Sequence, residues 1–265
     1  MKRLLGRIEG KEKGPLIICV GGIHGNEQIG VHAFRNVFSA IQNHNIQIKG
    51  KLVGLCGNLP AFLIKRRFID RDMNRVWSPH IIQEILKGGN PIGAESQQVA
   101  ELYNAIESEL TGDYTDLILA DLHATSADNG NFIVVPEDEG NHPVIKSLQL
   151  PIVLEINKYL VGTLMSYYHN RAFVSFAFEG GMIGTDNAYP LHTSGLWEIL
   201  DKSGMITAHD HEDHYSKLLQ ATSSGLPKKV AVLYHHKVSP TDEFRMLPGY
   251  KFSTSKNGRT PCHGC

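Results

Sequence analysis

Cysteine is scarce. The 265-residue chain holds four, too few to form a disulfide framework in place of a core. Long apolar runs are missing too: nowhere do roughly 18 apolar residues follow one another, so no membrane-spanning helix is expected. Neither charge sign dominates, since 26 Lys and Arg stand against 27 Asp and Glu, a formal charge of −1. That balance gives no broad attraction to nucleic acid or to an anionic membrane. The basic start, Met1-Lys2-Arg3, has no apolar segment behind it and does not read as a secretory signal. Cys19 and Cys56 sit inside apolar runs as small core residues. The expectation is a cytoplasmic protein with no nucleic-acid or membrane partner; a homo-oligomer is left open.

Apolar residues make up 42% of the chain, enough for a real core. At about 150 residues per domain the length allows roughly 1.8 domains. Pro15–Val20 is a short β-branched run ended by Gly21-Gly22, which reads as a buried strand entering a turn. Ile29, Ala33, Phe34, Val37, Phe38 and Ile41 then recur at helical spacing. Further strands are expected at Leu52–Cys56, Thr115–Ala120, Asn131–Val135 and Ala172–Phe178, and helices at Glu95–Leu110 and up to Ile206. Strands alternating with helices predict a doubly wound α/β fold with a mixed, mostly parallel sheet. Ser223–Lys229 reads as a linker, giving a main domain over 1–225 and a short, truncated β-rich C-terminal lobe over 226–265.

Histidine is plentiful at 14 residues, a reason to look for a metal. In open α/β sheets function gathers beyond the carboxyl ends of the strands. There the chain places His24 and Glu27, then Asp121 and His123, then Glu179, with Arg67, Asn74 and Arg75 between the second and third strands. Two histidines and one carboxylate, with a fourth position open, form the ligand set of a catalytic zinc site. Glu179 is placed to take a proton from a water there, and Arg67, Asn74 and Arg75 supply donors for an anion or an oxyanion. Each group has a bland reading by itself: a chance His-x-x-Glu, a turn before two glycines, a solvated charged face. Their joint placement at the strand ends of one sheet is what links them.

The ordered set Gly21-Gly-Ile-His-Gly-Asn-Glu27, Asn58-Leu-Pro, Arg67-Phe-Ile-Asp-Arg-Asp-Met-Asn-Arg75, Asp121-Leu-His123 and Phe178-Glu-Gly180 resembles the succinylglutamate desuccinylase/aspartoacylase family of the zinc carboxypeptidase-like group, over roughly Leu16 to Met205. The resemblance implies a zinc-dependent amidohydrolase that cleaves the acyl group from an N-acyl amino acid, acidic or related, with one zinc per chain. It implies His24, Glu27 and His123 as metal ligands and Glu179 as general base. Arg67 would polarise the scissile carbonyl, and Asn74 and Arg75 would bind substrate carboxylate. Arg171 stands for the family's arginine upstream of the base, at an offset shorter by about two residues, and Asp121 would support the metal ligands. Two rivals stand beside this reading: a zinc carboxypeptidase acting on peptides, and a zinc-binding protein without hydrolase activity.

Two other motifs carry less. His209-Asp-His211-Glu-Asp213-His214 matches a metallo-β-lactamase-like signature, but the chain after it is too short for that fold's remaining ligands. Cys262-His-Gly-Cys265 has no second pair of zinc ligands.

Overall fold

The computed structural model describes residues 1–126, 131–136, 138, 140, 142–148, 150–207, 214–232 and 238–239. Eight strands form one sheet: β1 (Leu4–Glu9), β2 (Glu12–Gly21), β3 (Lys49–Cys56), β4 (Leu117–Thr125), β5 (Asn131–Val134), β6 (Ile152–Leu154), β7 (Val174–Met182) and β8 (Lys229–Ala231). Their spatial order is β1-β3-β2-β4-β7-β5-β6-β8. Only β1 against β3 and β5 against β7 run antiparallel; the other five pairs are parallel. The expected mixed, mostly parallel sheet is therefore present.

Helices cover both faces. On one lie α1 (Ile29–Asn43) and α7 (Ala188–Lys202), whose Phe34, Val37, Ile41, Leu196 and Trp197 join Ile17, Cys19, Ile118 and Phe176 in a single core. On the other lie α3 (Pro79–Leu86), α4 (Glu95–Glu107) and α6 (Leu164–His169), whose Ile82, Val99, Leu102, Ile106 and Tyr168 pack on Ile18, Val53 and Leu119. A strand between two such layers must be apolar on both sides, which is why β2 is buried from Gly14 onward. Three further α-helices among the described residues are α2 (Leu59–Leu63), α5 (Pro143–Ser147) and α8 (His214–Ser223). Among the described residues no helix is long and apolar enough to cross a membrane.

Several bounds differ from the sequence expectation. β4 runs on to Thr125 and β7 to Met182, so Asp121, His123 and Glu179 lie within strands, not after them. Side-by-side parallel pairing, His123 with Glu179 among the partners, carries both strands past the polar residues. α7 begins at Ala188, well before Trp197, because its first turns bury Leu191 and His192. β1 and β6 have short patterns that gave no signal. β8, in the segment expected to open the short C-terminal lobe that leans on the main domain, pairs with β6 at the edge of the same sheet. The rest of that lobe beyond residue 239, with Cys262 and Cys265, lies outside the described residues, as do His209, His211 and Asp213.

Candidate active site

The site forms at the carboxyl ends of β2, β4 and β7, the central strands. After β2 the chain turns sharply: Gly22 has φ +66°, and a Cβ at Gly25 would lie 2.1 Å from the carbonyl carbon of Ala61. Glycine is required at both positions, so the turn closes against α2. Within it the Glu27 amide donates to the His24 carbonyl at 3.0 Å, which puts both side chains on one side of the turn. His123 arrives from β4, where it shares a sheet face with Asp121 two residues earlier.

His24, Glu27 and His123 are all buried, and their ligand atoms lie within 4.8 Å of one another. His24 Nδ1 is 2.9 Å from Glu27 Oε1, and His123 Nδ1 is 2.9 Å from Glu27 Oε2. Each ring turns its other nitrogen to an aspartate: His24 Nε2 lies 3.0 Å from Asp72 Oδ1, and His123 Nε2 lies 2.8 Å from Asp121 Oδ2. A neutral imidazole has one N–H. With that proton assigned to Nε2 and donated to the aspartate, both Nδ1 lone pairs face Glu27 oxygens with no hydrogen between them. A cation between them, a proton in the metal-free site or a bound metal ion, satisfies this meeting, and carboxylate-backed histidines with one carboxylate are the donor set of a zinc site. The residues fit the metal.

Electrostatics follow the same geometry. Burial alone would raise the Glu27 carboxyl, but the two imidazoles overrule it and hold it well below the usual range. Burial would lower His123, but Asp121 and Glu27 pull it well above its ordinary value. Glu179 on β7 is pushed upward, first by burial and then by Glu27 and Asp121. Among the described residues nothing hydrogen-bonds its carboxylate, so it is free to exchange a proton.

The Arg67–Arg75 segment is held from below by one residue. Glu95, fully buried at the start of α4, accepts the amides of Ile69 (2.6 Å), Asp70 (3.0 Å) and Arg71 (3.1 Å), and the Asn58 side chain at 3.0 Å. Asp72 then binds Arg67 through Nε at 3.2 Å and Nη2 at 3.0 Å. Arg67 Nη1 reaches Glu27 at 3.3 Å, so this guanidinium lies against the metal triad. Arg75 donates to the Asn74 carbonyl at 2.6 Å.

His24, Glu27, Arg67, Asn74, Arg75, Asp121, His123 and Glu179 line one cavity of about 300 Å³. Two residues are placed otherwise than the sequence expectation had them. Asn74, expected to hold substrate, is buried with both ends of its amide committed: Nδ2 donates to Asp121 (3.3 Å), the partner of His123, and Oδ1 accepts from the Leu164 amide (2.8 Å). Arg171 does not line the cavity. Its offset was judged along a strand, but it lies in the turn before β7, where it forms a bidentate pair with Glu107 (2.6 and 2.8 Å) beside Tyr103, Tyr167 and Tyr168. Asp72 and Glu95 received no role from the sequence. Asp72 left a faint signal, a cap for the short turn at Asn74 (2.9 Å), and Glu95 left none. His192 was missed as well; its ring sits between the carbonyls of Ala188 (2.9 Å) and His123 (3.0 Å), and burial pushes it down to about 4.

The model of the Succinylglutamate desuccinylase/Aspartoacylase catalytic domain matches residues 13–185. A succinylglutamate desuccinylase of Pseudoalteromonas atlantica is 26% identical over 170 residues, 61% of this chain and 48% of that protein. The chain thus spans about half the length of this relative. A probable aspartoacylase of Acaryochloris marina is 26% identical over 230 residues, 84% of this chain and 71% of that protein. Among solved structures, the succinylglutamate desuccinylase of Chromobacterium violaceum superposes with a TM-score of 0.61 at 17% identity, over 79% of this chain and 67% of that one.

Proposed function

Because the chain belongs to the succinylglutamate desuccinylase/aspartoacylase family, we propose that it is a zinc-dependent amidohydrolase releasing the acyl group from an N-acyl amino acid. The observation that carries this reading is the convergence of His24, Glu27 and His123 beside Glu179 in one cavity. An ion held by those three side chains would supply Lewis-acid activation of a water and of the scissile carbonyl.

The chain's own groups supply the rest. Glu179, raised by burial, takes a proton from the attacking water and returns it to the leaving amine. Arg67, fixed by Asp72, presents positive charge where the oxyanion of the tetrahedral intermediate develops. Arg75 holds the substrate carboxylate. Asp121, itself bound by Asn74, holds His123, and Asp72 holds His24, so the ligands stay oriented through the reaction. A cavity of about 300 Å³ is at the small end of ligand pockets, which supports a small substrate over a peptide.

The test is amine release from N-acyl amino acids by the zinc-loaded protein, beside blocked peptides and a metal analysis. Hydrolysis of acyl amino acids with one zinc per chain is expected. One zinc per chain with no amine released from any of them would overturn the proposal.

A further inference from the structure

We infer that the substrate carries a single carboxylate and an apolar amino-acid side chain, so that N-acyl leucine, methionine or phenylalanine is preferred over N-acyl aspartate or glutamate. This rests on the amidohydrolase reading of the same cavity.

The first observation is a count of available cations. Among the described residues, Arg67 and Arg75 are the only Lys or Arg lining the cavity. Arg67 is already balanced by Asp72 and Glu27. Among the described residues the Arg75 side chain hydrogen-bonds only the Asn74 carbonyl and has no acidic partner. Arg171, which would have made a second receptor, pairs with Glu107 elsewhere. One unpaired guanidinium accommodates one carboxylate.

The second observation is the opposite wall. Phe132 is the register partner of Glu179, and Val134 that of Ala177. Side chains alternate along a strand, so Phe132, Val134 and Ala177 share the sheet face of Glu179. Ile156, Leu160 and Met165 extend this surface into the same cavity. A second carboxylate set against it would lose hydration without gaining a partner.

The apolar group belongs to the amino acid because of where Arg75 sits. The 156–165 segment meets the Arg75 backbone, where a Cβ at Gly162 would lie 2.5 Å from the Arg75 carbonyl, and Arg75 lines the same cavity as Ile156, Leu160 and Met165. The carboxylate receptor and the apolar surface are thus neighbours, as are the α-carboxylate and side chain on one Cα.

The experiment uses the zinc-loaded full chain. kcat/KM is measured for the N-acetyl derivatives of leucine, methionine, phenylalanine and aspartate, for N-succinylglutamate and for N-hexanoylglycine. Calorimetry measures binding of free leucine and free aspartate. The expected result is at least about a tenfold advantage of N-acetyl-leucine over N-acetylaspartate, a size typical of apolar pockets, with leucine bound more tightly than aspartate. In Leu160→Arg, at the partly exposed rim, the ratio should move about tenfold toward aspartate. A preference for N-acetylaspartate or N-succinylglutamate overturns this inference and leaves the amidohydrolase standing. Better turnover of N-hexanoylglycine overturns placing the apolar group on the amino acid. If no compound is cleaved, the amidohydrolase reading fails, and calorimetry still decides this inference: aspartate bound as tightly as leucine, or neither bound, overturns it.

Discussion

The Asp72 carboxylate stands 3.0 Å from Nε2 of His24, and its second oxygen grips the Arg67 guanidinium. One side chain therefore orients both His24, a proposed metal ligand, and the cation above it. Two contacts with different tasks hang on this one residue. In Asp72→Asn we expect zinc affinity to fall about 10- to 100-fold, the usual cost of losing such a partner. Competition with a chromogenic chelator checks this; an unchanged affinity would show that His24 needs no such support.

Glu179→Gln keeps the size of the side chain and removes the proposed base. Turnover should drop by about 10²- to 10⁴-fold while one zinc remains bound. Steady-state kinetics together with metal analysis separate this from simple loss of the ion.

Glu95 should matter to both stability and activity. Its carboxylate accepts three successive backbone amides of the segment bearing Arg67 and Asp72. Glu95→Ala leaves these donors unpaired in a buried place, at a cost of about 3–5 kcal/mol. Denaturant unfolding should show that loss, and kcat should fall although Glu95 lies outside the cavity lining.

Arg171 gives the opposite expectation. Its pair with Glu107 is partly exposed, with side chains 35% and 25% accessible, so water screens it. Arg171→Met should cost only about 0.5–1 kcal/mol. KM should stay at the wild-type value, whereas a KM raised about tenfold would return Arg171 to the substrate site.

Lys51 and Glu109 form a buried ion pair at 2.6 Å. Burial lowers the lysine pKa, but contact with Glu109 outweighs it and the net direction is upward. A raised folded-state value means the charged form is favoured by folding. That stability is fully present below the unfolded lysine value of about 10.4 and is lost as pH rises through the folded one. Unfolding free energy should therefore decline above about pH 10.4, and Lys51→Met should flatten that decline. Urea titrations across pH 9–12 would test it.

The sheet was readable because its strands are short apolar runs punctuated by glycine, and that pattern is local. β2 and β3 were found in this way, while β1 is half-exposed and β6 has three residues, so neither leaves a period to detect. The ends of β4 and β7 were drawn too short because Asp121, His123 and Glu179 are polar. Parallel partners on both sides decided that the strands continue, and such partners come from distant sequence.

For the site, His24 and Glu27 were legible through a glycine-bounded turn, and Asp121 with His123 through the two-residue period of a strand. Local spacing by itself determined which side chains share a side. Tertiary packing alone decided what they face: that Asp72 meets His24, that Glu95 underlies the arginine segment, that Asn74 turns inward and that Arg171 pairs with Glu107. The reason is physical. A backbone repeat sets direction within a few residues, whereas a hydrogen bond between residues tens of positions apart exists only once the sheet and both helix layers have brought them together.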